Sequence, residues 1–349
     1  MIIDDISQKV INIGCEYKEP KGGIAQILKV YEDYVFNDFR CIVNSKNANF
    51  YVNIKILICA LYRLFVVLLL DHNIRIVHIH TASYNSFLRS SLFVKLSKFM
   101  KRKVVLHIHG GGFKEYYKTK SKFITSILNQ CDSIIALTQS WKEFFQMITV
   151  CKNVEVVNNI VPPPVFCNIK KADVKKHLLF LGLITEQKGI YDLLDVISQN
   201  KNIFENKMVL HIGGNGDVKR LIDIIENRRL QDLVVYEGWV SGDKKVELFN
   251  YVDAFILPSY IEGFPVSILE AMSYGLTIIT TPVGGISEIL TEKTGVFFKP
   301  GDKKQLANVL CNYVNNEYDG IGKQAQALVS NYFPEAVGKQ LIEVYNHLI

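Results

Sequence analysis

Along the chain, short runs of apolar, often β-branched side chains alternate with stretches whose apolar positions recur every three or four residues. The runs "KVINIG", "IRIVHIH", "KVVLHIHG", "SIIALT" and "VEVVNN" precede position 160, and "HLLFLG", "MVLHIGG", "LVVYEGW", "AFILPS" and "LTIITT" follow it. Strands this uniformly apolar are covered on both faces, as in parallel sheets. Between them the spacing predicts helices over 23–36, 55–70, 86–100, 121–130, 189–199, 217–228 and 244–250. Strand and helix repeat twice over, which predicts an α/β protein of two doubly wound Rossmann-like domains. The proline run "VPPPV" at 161–165 falls between the two series, and prolines, which lack an amide donor, suit a connector. The expected domains are therefore 1–162 and 163–330. The remaining segment, 331–349, carries apolar side chains at Val337, Leu341, Val344, Tyr345 and Leu348, a one-faced helix that needs a surface to pack on.

Composition changes this picture little. The 349 residues suit two domains, and 49% hydrophobic with 21% charged side chains is a globular balance. Seven scattered cysteines without a Cys-x-x-Cys spacing suggest neither a disulfide framework nor a zinc site, and fit a reducing cytoplasm. The start, "MIIDDISQKVINIG", lacks the basic and long apolar regions of a signal peptide. The most apolar window, "ILICALYRLFVVLLL" at 56–70, contains Arg63 and falls short of the roughly 20 residues that span a bilayer, so it is expected to be a buried helix. Charge is uneven: residues 1–160 hold 21 Lys and Arg against 12 Asp and Glu, and residues 161–349 hold 19 against 22. Basic residues cluster at "KLSKFMKRK" (95–103) and at "FKEYYKTKSKF" (113–123), where Phe113, Tyr116, Tyr117 and Phe123 are interleaved. Such segments are compatible with anionic lipid surfaces or nucleic acid.

In open α/β sheets ligands bind beyond the carboxyl ends of the strands, where loops lead into helix N-termini. Gly22 and Gly23 follow the first strand and allow close backbone approach to a phosphate or sugar. Lys188 precedes Gly189 at the mouth of the first helix of the second domain, and "HIGGNGDVKR" adds a glycine loop containing Gly214. A cation facing amide-rich helix starts would hold a diphosphate. Without a Gly-x-Gly-x-x-Gly fingerprint or an acidic residue placed for a ribose of NAD, a dehydrogenase is disfavoured. In "YIEGFPVSILEAMSYG" (260–275), Pro265 suits the first helical position and Gly275 the stop, which puts Glu262 on a loop and Glu270 inside the helix. His109 ends a strand and is followed by three glycines, so it is expected in the cleft, with His107 facing the opposite side and His78 and His80 structural. No Asp-x-Asp motif and no His, Cys or carboxylate cluster has ligand spacing in the sequence, so no metal is expected.

Taken together, "FLG...KG", "GGNGD", "YEGWVS", "LPSYIEGFPVSILEAMSYG" and "TTPVGGISEIL" occur in an order and at spacings that resemble the family-4 type of retaining glycosyltransferases, of the GT-B fold. The resemblance is strongest over 178–300, extends to the final helix, and in the N-terminal half rests on the glycine loop and "HIHG". It implies two domains facing across a cleft, an acceptor-binding one first and a nucleotide-sugar-binding one second, with the last helix crossing back to the first. It implies that Glu262 faces the donor sugar, Glu270 takes the ribose hydroxyls, Lys188 neutralises the leaving diphosphate and His109 is directed at the donor. Gly22, Gly23, Gly214, Gly263, Phe264, Val266 and Ser267 would line the donor, the last two offering helix-start amides, and the loop at Trp239 and Val240 would receive the base. Two positions depart from the pattern: Pro265 lacks an amide where relatives often have glycine, and Leu183 stands where they commonly carry arginine. The resemblance further implies a metal-independent reaction without a cofactor, a nucleotide-sugar substrate for which a UDP-sugar is expected, and a saccharide or lipid-linked saccharide acceptor in bacterial surface polysaccharide synthesis. With the basic first half it implies a cytoplasmic enzyme held peripherally on the anionic inner face of the plasma membrane, with no nucleic-acid partner. A non-catalytic glycosyltransferase-like binding subunit and a sugar-nucleotide epimerase of the same fold are the alternatives.

Overall fold

The structure, a computed structural model, describes residues 4–168 and 174–349. The chain divides into two compact units, Met1–Pro162 with Asn331–Ile349, and Pro163–Ser330, and the division falls within the proline run.

The first unit is built on six parallel strands, β1 (Val10–Cys15), β2 (Cys41–Ser45), β3 (Ile76–Thr81), β4 (Lys103–Ile108), β5 (Ser133–Ala136) and β6 (Val154–Val156), in the order β2-β1-β3-β4-β5-β6. The apolar runs become these strands, and β2, which the pattern did not announce, is one of the two edge strands. Its segment "CIVNS" is only partly covered and ends in polar residues, so its composition resembles a loop. All pairings are parallel, and the order reverses its winding between β1 and β3, so the loops after those strands and after β4 share one edge. The last helix, Pro334–Asn346, belongs to this unit: it buries Val337, Leu341, Val344 and Tyr345 and packs on the π-helical segment Tyr31–Val35.

Two expectations for this unit are corrected. The apolar window lies in a 21-residue helix, Phe50–Leu70, whose most apolar stretch has a mean hydropathy of 2.2 and is only 17% buried. Ala60, Leu64 and Leu68 are buried beneath it, and most of the remaining apolar side chains face outward. Composition gives the same value for an apolar helix however it is turned, so only packing reveals that it is covered on one side. The helix expected at 121–130 begins at Phe113 and runs to Leu128 with a kink at Lys120, and its aromatics point inward. Phe113 and Tyr116 are buried, and Tyr117 and Phe123 pack against the core. The lysines of that segment are exposed, and of its aromatics Phe113 and Tyr116 are buried while Tyr117 and Phe123 are half-buried.

The second unit carries β7 (Lys176–Leu181), β8 (Met208–Gly213), β9 (Val234–Gly238), β10 (Ala254–Leu257), β11 (Thr277–Thr280) and β12 (Val296–Phe297), all parallel, in the order β12-β11-β10-β7-β8-β9. From β7 the chain winds outward through β8 and β9, then returns to β10 on the other side and winds the opposite way. The reversal between β7 and β10 opens a crevice at their carboxyl ends, which is where such sheets bind ligands.

Candidate active site

The loops leaving β7 and β10 flank that crevice, and three contacts join them. The chain after β7 makes one 3₁₀ turn, Glu186–Lys188, and passes through Gly189 at φ +68° into the helix Ile190–Gln199. A Cβ at Gly189 would stand 2.0 Å from the carbonyl oxygen of Pro258, so only glycine lets the two loops approach this closely. The Tyr260 amide donates to the Gln187 carbonyl at 2.8 Å. Across this seam the Lys188 Nζ donates to Glu262 Oε1 at 2.5 Å, and the buried Ser259 hydroxyl donates to the same oxygen at 2.6 Å. Glu262 is 8% exposed, and a carboxylate so enclosed requires this pairing.

Glu270 sits in the helix Val266–Ser273, 8% exposed, with Lys245 of the helix Gly242–Tyr251 on its Oε1. Pro265 is the residue before the first helical turn rather than within it, at ψ 117°, so the first amides without an intrahelical partner are those of Val266 and Ser267. Gly263 accepts from the Gly285 amide at 2.7 Å, which fixes the approach to this helix against the "TTPVGGISEIL" loop. Gly214 lies at φ +148°, its amide bonded to the Gly238 carbonyl, and Val240 is buried against Gly213. The second unit thus gathers Lys188, Gly214, Val240, Glu262, Gly263, Phe264, Val266, Ser267 and Glu270 on loops and helix starts at one edge of one sheet. Lys245 and Ser259 were missed from sequence: Ser259 lies three residues from Glu262, the spacing of a local turn, whereas Lys245 comes from another helix and leaves no local signal. Leu183 is 49% exposed.

The first unit contributes a different arrangement. Gly22, at φ +123°, and Gly23 are exposed at the start of the helix Gly23–Val30, with open space around each. His109 follows β4, and His107 stacks on it with ring centroids 4.0 Å apart, on the same face rather than the opposite one. The reason is the two-residue period of a strand, which returns positions 107 and 109 to one side. His78 and His80 of β3 join them, so four imidazoles form a stack. His80 Nδ1 is 3.1 Å from His109 Nε2, His80 Nε2 3.3 Å from Asn12 Oδ1, and His109 Nδ1 3.3 Å from Asn159 Oδ1. Both ring nitrogens of His109 are thereby engaged within this unit. His78 Nδ1 meets the Tyr345 hydroxyl at 2.7 Å. His107 has no hydrogen-bond partner on either nitrogen among the described residues. Loss of hydration holds all four neutral, lowering His109 to about 4 and His78 to about 3, with His80 and His107 also well below the usual imidazole range.

Neighbouring strands therefore create a histidine cluster that sequence spacing did not show. Ring nitrogens of His78, His80 and His107 lie within 4.8 Å of one another. The rings are stacked, however, with 7° between the planes of His78 and His107 and 30° between those of His78 and His80. Lone pairs lie in the ring planes, so stacked imidazoles direct them side by side rather than to one point where an ion could sit.

The two parallel α/β sheets, each with a switch point, have the fold of the GT-B glycosyltransferases. The family profile "Glycosyltransferase Family 4" matches residues 38–163, and "Glycosyl transferases group 1" matches residues 167–331. The chain belongs to this family-4 type of glycosyltransferase. It is 26% identical over 342 residues to an uncharacterized 41.2 kDa protein in the cps region of Klebsiella pneumoniae, covering 90% of this chain and 93% of that one. It is 23% identical over 292 residues to the N-acetyl-alpha-D-glucosaminyl L-malate synthase of Bacillus anthracis, covering 78% and 74%. An uncharacterized glycosyltransferase of Methanocaldococcus jannaschii is 29% identical over 179 residues, and there the match spans only 45% of the relative's length. Among solved structures, Anabaena HepE in complex with UDP-glucose shares the fold at a TM-score of 0.76 and 17% identity, covering 97% of this chain and all of that one.

Proposed function

We propose that this protein transfers a glycosyl group from a nucleotide-diphosphate sugar, a UDP-sugar, to an acceptor hydroxyl with retention at the anomeric carbon. The observation that carries the reading is the Lys188–Glu262 pair bridging the two loops of the switch point, with Glu270 one helix turn beyond the entry amides. In the reaction the acceptor oxygen bonds to the anomeric carbon, the bond from that carbon to the diphosphate oxygen breaks, and the hydroxyl proton leaves with the nucleotide. Breaking that bond builds negative charge on the diphosphate, which Lys188 and the Val266 and Ser267 amides are suited to stabilise. Glu262 then faces the positive charge developing on the sugar, and Glu270 offers two acceptor oxygens to the ribose diol. His109 is neutral, with both ring nitrogens held by Asn159 and His80 inside the first unit. No step in this scheme calls for a metal or cofactor.

The relatives support the donor and the setting: HepE is described with UDP-glucose, and a protein 24% identical over 271 residues is the amylovoran biosynthesis glycosyltransferase AmsK of Erwinia amylovora. On this reading the acceptor is a lipid-linked saccharide of a surface polysaccharide, met at the cytoplasmic face of the membrane. Purified protein incubated with UDP-, GDP- and dTDP-sugars and a lipid-linked saccharide should release nucleotide from the UDP-sugar and give a product of unchanged anomeric configuration by NMR. Silence across the panel would count against it. Leu183, at a position where arginine is usual, favours a second reading, a binding subunit without turnover. Leu183→Arg separates the two: a gain in nucleotide release marks a weakened enzyme, whereas no turnover before or after marks a binding role. Product formed without any acceptor would instead mark an epimerase.

A further inference from the structure

The Phe50–Leu70 helix turns an apolar stripe to solvent. Tyr51, Ile54, Ile58, Tyr62, Phe65 and Leu69 follow one another at steps of three and four residues, one face of a helix, with Tyr51 76%, Ile58 62% and Tyr62 68% exposed. The helix Asn85–Phe99 packs against it and repeats the pattern with Tyr84, Leu88, Leu92 and Phe99, the last 78% exposed. Two adjacent helices with outward apolar stripes make a patch of a kind soluble proteins cover. Neither helix contains an Asp or Glu, while Lys55, Arg63 and Lys95 stand exposed among the apolar residues and enter no ion pair among the described residues.

We propose that this two-helix face seats the protein on an anionic bilayer, its apolar stripes entering the interfacial region and Lys55, Arg63 and Lys95 meeting lipid phosphates. The charge decides the occupant: a patch that is apolar and cationic with no acid on either helix complements an anionic lipid surface, and a second copy would bring like charges together. The helix lies on the bilayer rather than spanning it. Its inner side, Ala60, Leu64 and Leu68, is part of the first unit's core, which a spanning helix would have to vacate. The face is distinct from the lysine and aromatic segment at 113–123, whose rings are turned inward.

Flotation with phosphatidylcholine vesicles, and with vesicles carrying about 30 mol% phosphatidylglycerol, tests the face without donor or acceptor. A failed transfer assay therefore leaves the result standing, and a failed flotation leaves the transfer reading standing. The wild-type protein should float with the anionic vesicles, more weakly at high salt but still detectably, because the apolar part is not screened. Ile58→Glu with Tyr62→Glu, both on exposed positions, should lower the bound fraction by about tenfold at an unchanged melting temperature. If the double variant melts early, Ile58→Trp replaces it, and its emission should shift to the blue on anionic vesicles alone. The proposal is overturned by wild-type protein that stays with the unbound fraction, by a double variant that floats like the wild type, by Ile58→Trp emission that ignores the vesicles, or by a concentration-dependent dimer that the double variant abolishes in place of flotation.

Discussion

The carboxyl edges of the two sheets solve opposite electrostatic problems. In the second unit, cationic and acidic side chains are gathered in pairs: Lys188 with Glu262, Lys245 with Glu270. In the first, four imidazoles are gathered and kept neutral by loss of hydration, with Asn12, Asn159 and Tyr345 supplying uncharged partners. Both edges lie at the reversal of a parallel sheet, so topology alone does not dictate which kind of chemistry appears there. What differs is the neighbour supplied by the next loop. The loops after β7 and β10 bring a cation against a carboxylate, whereas β3 and β4 bring histidine against histidine. An ion-paired edge can exchange its internal partners for a charged ligand, and a neutral edge can contact a sugar without adding charge.

The sharpest way to break this contrast is to remove the cation. Lys188→Ala should reduce nucleotide release from a UDP-sugar by about 10²–10³-fold, the scale of one lost stabilising contact to a developing anion. Turnover within a factor of two of wild type would mean that another group carries the diphosphate. Glu270→Gln keeps the shape and removes the charge, and calorimetry should find UDP bound about tenfold more weakly, the scale of one charge-assisted hydrogen bond. Unchanged affinity would detach Glu270 from the ribose.

The histidine edge should respond to pH. The imidazoles titrate near 6.5 when unfolded, and His109 at about 4 and His78 at about 3 when folded. Between those values the unfolded chain binds more protons than the native one. Their contribution to stability is therefore complete above about pH 6.5 and is lost as pH falls toward about 4. Hydrogen exchange corrected for intrinsic rates should show the β3 and β4 amides losing protection between pH 7.5 and 5.5, ahead of those in β7 and β10. Equal losses in both sheets would contradict the difference. The smallest effect is expected at His107, whose two ring nitrogens find no partner among the described residues. Replacing a buried polar ring that has no bonds to lose is nearly neutral, so His107→Leu should shift stability by no more than about 1 kcal/mol in a denaturant titration. A loss several times larger would show that this ring has a partner.

Much of this was open to reading in the linear chain. Ten of the strands were visible as apolar runs, because a parallel strand covered on both faces must be apolar throughout. β2 and β12 were not, since β2 ends in the polar Asn44 and Ser45 and β12 is only the two residues Val296–Phe297. Lys188, Glu262 and Glu270 could be singled out one by one, because glycines and helix starts around them mark loops that follow strands. That Lys188 touches Glu262, 74 residues away, could not.

The local alternation of residues therefore determined the elements, their parallel pairing class and the loops where ligands meet the sheet, since each depends on side chains within a few positions of one another. The tertiary structure alone decided who faces whom. It turned the aromatics of Phe113–Leu128 inward and left one side of Phe50–Leu70 in solvent, although the sequence suggested the reverse for each. It also stacked His107 on His109 and set Lys245 beside Glu270. Burial and electrostatic pairing are properties of contacts between distant segments, and a period along one helix states that it has two faces without stating what covers either.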